Sequence, residues 1–404
     1  MRLSWGTVLA VIEETDKRQK LQVCLDADSA HGTQDMHDAQ DVYAAHDVHL
    51  LHDAYLLHDA YVSHISHDTV IAINYLSLSF AQNVGDRVLL NMTALDLRLG
   101  TGGFAFVVPT DELEQTDDSG HHGHIMKLRY TPLQREFLTI EEQDSPHHVI
   151  MKDARSLAGM PVVCCALASQ VPLVAAAVRA DLPEARIVFC MTDEATLMYA
   201  FSDMFADARS AGLIDATISC GQAFGGDMEA ITLHSAMLAA YHALKADVCI
   251  VSIGPGTPGS ATPYGHGGIA QGEALNAVIA LGGTPIAPLR LSFADDRARH
   301  RAVSHHSITT LGTICLGRAV IPLPRNLSSA QTAEVTSALE AAGFYERHSV
   351  VELEVNPDKI NLCGLTVTTM GRTQAQDPAF FSASFAAGIF AASVVASRRA
   401  QDNG

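Results

Sequence analysis

The sequence contains a single tryptophan, Trp5, and only 6% aromatic residues. Stacking platforms for bases need more aromatic faces than that. Positive charge is scarce too: 26 Lys and Arg stand against 45 Asp and Glu, for a net charge of −19. A polyanion partner needs a basic face, so no nucleic-acid partner is expected. None of the eight cysteines forms a Cys-x-x-Cys pair. Most sit in apolar runs such as Val162-Val163-Cys164-Cys165-Ala166, which reads as buried reduced thiols in a cytoplasmic protein. There is no Gly-x-Ser-x-Gly elbow, no His-Glu-x-x-His and no Walker loop, which argues against serine hydrolases, zinc proteases and P-loop NTPases. The first residues lack the apolar core of a signal peptide. The last apolar stretch, Pro378 to Ala396, is rich in Ala and Ser. It reads as a helix buried against a sheet rather than a membrane span, and no membrane partner is expected.

What is present is a long globular chain of 404 residues, 48% of them hydrophobic. Short β-rich segments come first: Thr7–Ile12, Leu21–Leu25, Val70–Tyr75, Arg87–Asn91 and Phe104–Val108, with Gly-rich turns between them. This spacing suggests a small barrel-like domain over 1–109. Residues 110–158 are polar and turn-rich and carry one basic strand. From 159 to 404 apolar strands alternate with helical patterns. That alternation predicts an α/β domain with a mainly parallel sheet covered by helices on both faces. Helices are expected at Gln170–Ala180, Glu194–Ala211, Asp227–Ala246 and Gly272–Leu281. A further one opens on the capping box of Ser328 and Gln331.

A His/Asp-rich insert interrupts the barrel at about 28–68, with eight Asp, eight His and no Lys, Arg or Glu. Its centre is a tandem hexapeptide, His46-Asp47-Val48-His49-Leu50-Leu51 and its two successors. On a strand, His at i and i+6 lie ~20 Å apart, too far for one ion. On a helix they are turned ~240° from each other. Only His46/His49, His49/His52 and His64/His67, at i,i+3, can clasp one ion on a helix. The readings this leaves are a repeat expansion in a surface loop, adventitious metal binding and, last, a dedicated metal site.

Ligands of open parallel sheets bind beyond the carboxyl ends of the strands. The segments expected there are Met191-Thr192-Asp193, Gln222-Ala223-Phe224-Gly225-Gly226-Asp227 and Gly254-Pro255-Gly256-Thr257-Pro258-Gly259. The last has a dinucleotide-loop spacing, but Pro255 and Pro258 remove two N–H donors. Asp193 and Asp227 are expected at helix starts, either as N-caps or as carboxylates aimed into a cleft. Ser304-His305-His306-Ser307 follows the charged run Asp295 to Arg301, either as a capped helix start or as a ligand site. On the basic strand, Ile125, Lys127 and Arg129 share a face. Those cations meet either surface acids or an anionic ligand.

Several motifs together resemble a known family. They are Gly123-His124-Ile125-Met126-Lys127-Leu128-Arg129-Tyr130-Thr131-Pro132-Leu133-Gln134, Ser145-Pro146-His147-His148, Cys220-Gly221-Gln222-Ala223-Phe224-Gly225-Gly226-Asp227, Gln271-Gly272-Glu273-Ala274-Leu275-Asn276 and Ser304-His305-His306-Ser307. The chain is similar to an uncharacterised bacterial family, domain of unknown function 3866, with 28–68 as an insertion. The resemblance implies a cytoplasmic bacterial protein and carries no chemistry. The residues themselves lead to the expectation of an enzyme acting on a small anionic, perhaps phosphorylated, metabolite. Asp193, Asp227, His305 and His306 are its candidate catalytic groups. Lys127, Arg129, Gln222, Gly225, Gly226, Gly254 and Gly256 are its candidate ligand contacts. The alternative is a non-catalytic small-molecule-binding or assembly protein. No cofactor is named by the sequence, and a homo-oligomer stays open.

Overall fold

A computed structural model describes residues 2–26, 69–96, 103–110, 123–129 and 135–402. The His/Asp-rich insert and the acidic segment after Thr110 lie outside them. The chain forms two compact units, Met1–Gly120 and His121–Gly404.

The first unit is a closed barrel of β1 (Leu3–Glu14), β2 (Arg18–Leu25), β3 (Thr69–Tyr75), β4 (Arg87–Asn91) and β5 (Ala105–Val108), in the order β1-β2-β3-β5-β4. Alternation sends Val8, Leu21, Val23, Ala72, Val88, Leu90 and Ala105 into one core, as a two-residue side-chain period requires. Neighbours pair antiparallel except β3 with β5, which run parallel. Closure removes the sheet edges that an open sheet this small exposes.

The second unit begins with a hairpin of β6 (Ile125–Lys127) and β7 (Arg135–Phe137). Its main sheet holds β8 (Pro161–Cys164), β9 (Ile187–Thr192), β10 (Ala216–Cys220), β11 (Met228–Ala230), β12 (Val248–Ile253) and β13 (Thr284–Ile286). β14 (Leu291–Ser292) and β15 (Ala302–Val303) form a small separate ladder, and β16 (Val320–Pro324) and β17 (Ser349–Leu353) complete the main sheet. Its order is β11-β10-β9-β12-β8-β13-β16-β17, and every recorded pairing in it is parallel. Both sides of each central strand are buried, which is why β8, β9 and β12 read as nearly continuous apolar runs.

Consecutive side chains feed opposite cores. Val162, Val188, Cys249 and Val251 pack with α3 (Leu233–His242), α4 (Ile269–Ala280) and α6 (Ser329–Ala341). Val163, Ile187, Phe189 and Ile250 pack with α1 (Gln170–Asp181), α2 (Asp203–Ser210) and α7 (Pro378–Asp402). Residues Pro378–Gln401 are long and apolar enough to cross a membrane, yet 72% of their most apolar window is buried here. Gly388 has no room for a Cβ because the Val174 carbonyl sits against it, so α7 lies directly on α1. This is a core helix.

The connections explain where a ligand fits. From β8 the chain steps to β9, β10 and β11 in one direction. It returns to β12, inserted between β9 and β8, then continues to β13, β16 and β17 in the other direction. Right-handed crossovers in opposite directions place their helices on opposite faces. The loops after the neighbours β8 and β12 therefore diverge, opening a crevice at their carboxyl ends.

Two expected helices are corrected. The stretch from Glu194 to Ala211 is helical only as a 3-10 turn, Tyr199–Phe201, and α2, which Ser202 caps by accepting the Phe205 N–H. Thr196 adopts φ 63°, a left-handed conformation that breaks any α-helix from Glu194. The stretch from Asp227 first forms β11, and α3 starts only after Thr232, which caps it with Ser235. Neither Asp193 nor Asp227 is at a helix start. The capping box of Ser328 and Gln331 is present on α6.

Candidate functional site

The crevice between β12 and β8 is lined by Cys165, Thr192, Ser252, Gly267, Ala270 and Gln271, among others. Ser252 and Gln271 are almost fully buried. The Gln271 side-chain nitrogen donates to the carbonyls of Cys164 and Pro288. Its Oε1 and the Ser252 Oγ have no partner. Buried polar atoms left unpaired in a protein interior cost about 1–3 kcal/mol each, so packing alone does not explain them. The amino end of α4, which supplies Ala270 and Gln271, adds the positive end of a helix dipole.

Beside the crevice four imidazoles converge from three segments. His266 ends the loop after β12, His300 lies before β15, and His305 and His306 open the short helix α5 (His305–Thr309). The His266 and His306 rings stack at 3.9 Å between centroids, the His305 and His306 rings lie at 4.3 Å, and the His300 and His305 rings at 4.9 Å. Ser304 caps α5 by accepting the His306 N–H and also bonds the His300 Nδ1 at 2.8 Å. His305 Nε2 is buried without a partner. One nitrogen each from His300, His305 and His306 lie within 4.8 Å of one another.

Arg290 reaches into this cluster, 3.3 Å from His306 Nδ1 and 3.8 Å from Asp295. Asp295 also pairs with Arg297 at 2.9 Å and Arg372 at 3.5 Å, and Arg372 pairs with Asp377 at 3.2 Å. Three guanidiniums face two carboxylates, which leaves one excess positive charge. Burial pushes the imidazoles toward their neutral form, joined by Arg290 at His300 and by His266 and then Arg290 at His306. Their pKa values fall to about 3 and about 2. Burial, followed by Arg297, lowers Arg290 to about 10. Burial works against the Asp295 carboxylate, but Arg297 holds it well below the usual range.

The residues singled out in the sequence fall into separate places. His305 and His306 are in the cluster. Asp193 follows β9, where its carboxylate accepts the Ala195 N–H at 2.9 Å and a backbone bond from Gly254. Burial raises its pKa against those two bonds. Gly254 has no room for a side chain because Leu197 packs on it, and Gly256 turns the loop at φ 92°.

The other residues gather at the β10–β11 edge, with β9 between them and the crevice. Lys127 is buried and pairs with Glu229 at 2.6 Å, and it also donates to the Ala223 carbonyl. Glu229 further accepts the Gly225 N–H at 2.6 Å and bonds Ser219 at 3.3 Å. Gly226 donates to Ser219 Oγ at 2.6 Å. Asp227 accepts the Thr217 N–H at 2.9 Å and lies 3.3 Å from Arg209. Thr217 stands near the amino end of β10, because β11 runs parallel to β10 with Met228 beside Ile218. Asp227 is therefore at the end of the strands opposite the crevice. Gln222 and Arg129 are exposed.

Sequence reasoning passed over His266, Arg290 and His300 as site residues. The usable signal was a histidine inside the Gly-rich loop after a parallel strand, Tyr264-Gly265-His266-Gly267-Gly268.

No curated protein and no solved structure matches the chain. A family model described as protein of unknown function (DUF3866) matches residues 71–388. That span takes in most of β3, β4 and β5, the whole parallel sheet, the crevice and the four histidines, and the chain belongs to this family.

Proposed function

We propose that the protein is an enzyme acting on a small anionic molecule, carboxylate or phosphate, bound at the carboxyl ends of β8 and β12. One observation carries the reading: four imidazoles cluster beside the buried Arg290, and His305 Nε2 is left without a partner. A stability role does not account for that arrangement, since an apolar cluster of the same volume avoids the desolvation. In this reading Arg290 attracts the anion and neutral His305 accepts a proton from the bound molecule. Ser252 Oγ and Gln271 Oε1 hydrogen-bond its polar body, and Asp193 directly follows Thr192, which lines the same crevice.

The test is thermal unfolding of the full chain, in chelator, with inorganic phosphate against chloride at equal ionic strength. Phosphate is expected to raise the Tm of the natural protein by several degrees and that of Arg290→Met by much less. Equal shifts in both proteins overturn the reading. Consumption of a stabilising metabolite separates the enzyme from the alternative, a non-catalytic binding protein, which holds its ligand unchanged.

A further inference from the structure

We propose that His300, His305 and His306 form a binding site for one divalent transition-metal ion, of the zinc or cobalt type, with an open coordination position. The inference goes beyond the anion reading and does not depend on it: an ion on His305 takes the lone pair that the anion reading gives to proton transfer, and in the metal-bound protein that role passes to His266, whose ring nitrogens are also unpartnered. It stands on the convergence of three imidazole nitrogens within 4.8 Å of one another, from two segments of chain. Zinc binds imidazole nitrogens at ~2.0–2.1 Å, so nitrogens around one ion lie ~3.4 Å apart. Small ring rotations span that difference. The rings come from rigidly held backbone: Ser304 caps α5 and bonds His300. The unpartnered His305 Nε2 is a lone pair or an N–H with no protein atom to meet it. Metal ligation satisfies it.

Three histidines with no carboxylate or thiolate among them favour a metal suited to imidazole over calcium or magnesium, which take oxygen ligands. Three protein ligands also leave the fourth tetrahedral position for water or a substrate, the pattern of catalytic rather than structural zinc. His266 stacks on His306 and is outside the group of three. Arg290 opposes the ion, because its guanidinium lies 3.3 Å from His306 Nδ1. A metal has to displace that contact, and an anion in the open position offsets the repulsion. Metal and anion are therefore expected to bind more tightly together than either does alone.

The experiment uses the full chain, stripped with chelator and reloaded with zinc or cobalt. The His/Asp-rich segment at 28–68 carries eight further His, so the comparison is a difference between proteins that all contain it. After unbound metal is removed, the natural protein is expected to hold one more ion per chain than His300→Ala, His305→Ala or His306→Ala. Its zinc affinity should exceed theirs by roughly a hundredfold. Cobalt should give a ligand-field absorption band that the variants lack. Where an alanine variant fails to fold, His305→Gln carries the test, since Nε2 makes no hydrogen bond whose loss would unfold the chain. Equal metal content in His305→Gln and the natural protein overturns the site. The phosphate shift measured in chelator reads the anion proposal alone, so either can fail without the other.

Discussion

His266 and His306 lie flat on one another, with ring centroids 3.9 Å apart and planes 8° from parallel. The stack joins the Gly-rich loop after β12 to the start of α5, and Thr310 adds a second tie by donating to the Gly268 carbonyl at 3.1 Å. A stacked aromatic pair contributes about 0.5–1.5 kcal/mol beyond area burial. His266→Phe should keep the stack and stay within about 1 kcal/mol of the natural protein in urea unfolding. His266→Ala should lose about 1–2 kcal/mol and expose the loop at 255–265 to faster proteolytic cleavage. Unchanged cleavage in His266→Ala would show that the loop is held by its backbone bonds instead.

The buried pair of Lys127 and Glu229 makes a second prediction. Lys127→Met leaves the buried Glu229 without its cation, which costs about 3–5 kcal/mol. Lys127→Met with Glu229→Gln removes both charges and keeps an acceptor for the Gly225 N–H, so it should recover at least half of the loss. The phosphate-induced Tm shift should survive in the double variant, because Lys127 serves the β10–β11 edge and not the crevice. A vanished shift in a folded double variant would return Lys127 to the ligand site.

How far the sequence alone reaches can be judged from particular residues. Val162 to Cys164 and Val248 to Ile253 are legible as central strands because burial on both sides leaves no polar alternation. The barrel strands are legible because each has one dry face. The helix misread from Glu194 has Leu197, Met198 and Phe201 at helical spacing, but Met198 bridges to Phe224 and Tyr199 donates to the Phe224 carbonyl. Tertiary pairing outweighs the local pattern there. β11 is three residues long, too short for periodicity to register. His305 and His306 are visible as a motif, whereas His266 and His300 reach them only through the folded sheet. No spacing rule records that distance.

Asp227 and Asp193 separate a structural carboxylate from a candidate site carboxylate. Asp227→Ala removes the bond to the Thr217 N–H and the contact with Arg209, and should lower stability by about 1–2 kcal/mol. It should leave the phosphate-induced shift intact. Asp193→Asn keeps an oxygen for Ala195 and Gly254, so stability should change by less than about 0.5 kcal/mol while the shift changes. The reverse pattern would move the candidate site to the β10–β11 edge.

Glu142 gives the pH dependence. Burial pushes its carboxyl up, but the Thr139 N–H at 2.6 Å, the His124 N–H at 2.5 Å and the Thr139 hydroxyl at 3.1 Å prevail and hold it below the usual range. These bonds tie the entry of β6 to the turn after β7. A carboxyl whose pKa is lower folded than unfolded binds fewer protons in the native state, so stability rises with pH while the unfolded chain is the more protonated. The contribution is complete above the unfolded value of about 4.3 and is lost as pH falls through the folded value. Glu142→Gln should therefore cost about 1–2 kcal/mol at pH 7, and the gap to the natural protein should narrow between about pH 5 and pH 3. Urea midpoints of the two proteins across that range are the measurement. A gap that stays constant with pH would assign the loss to altered packing rather than to the ionised carboxylate.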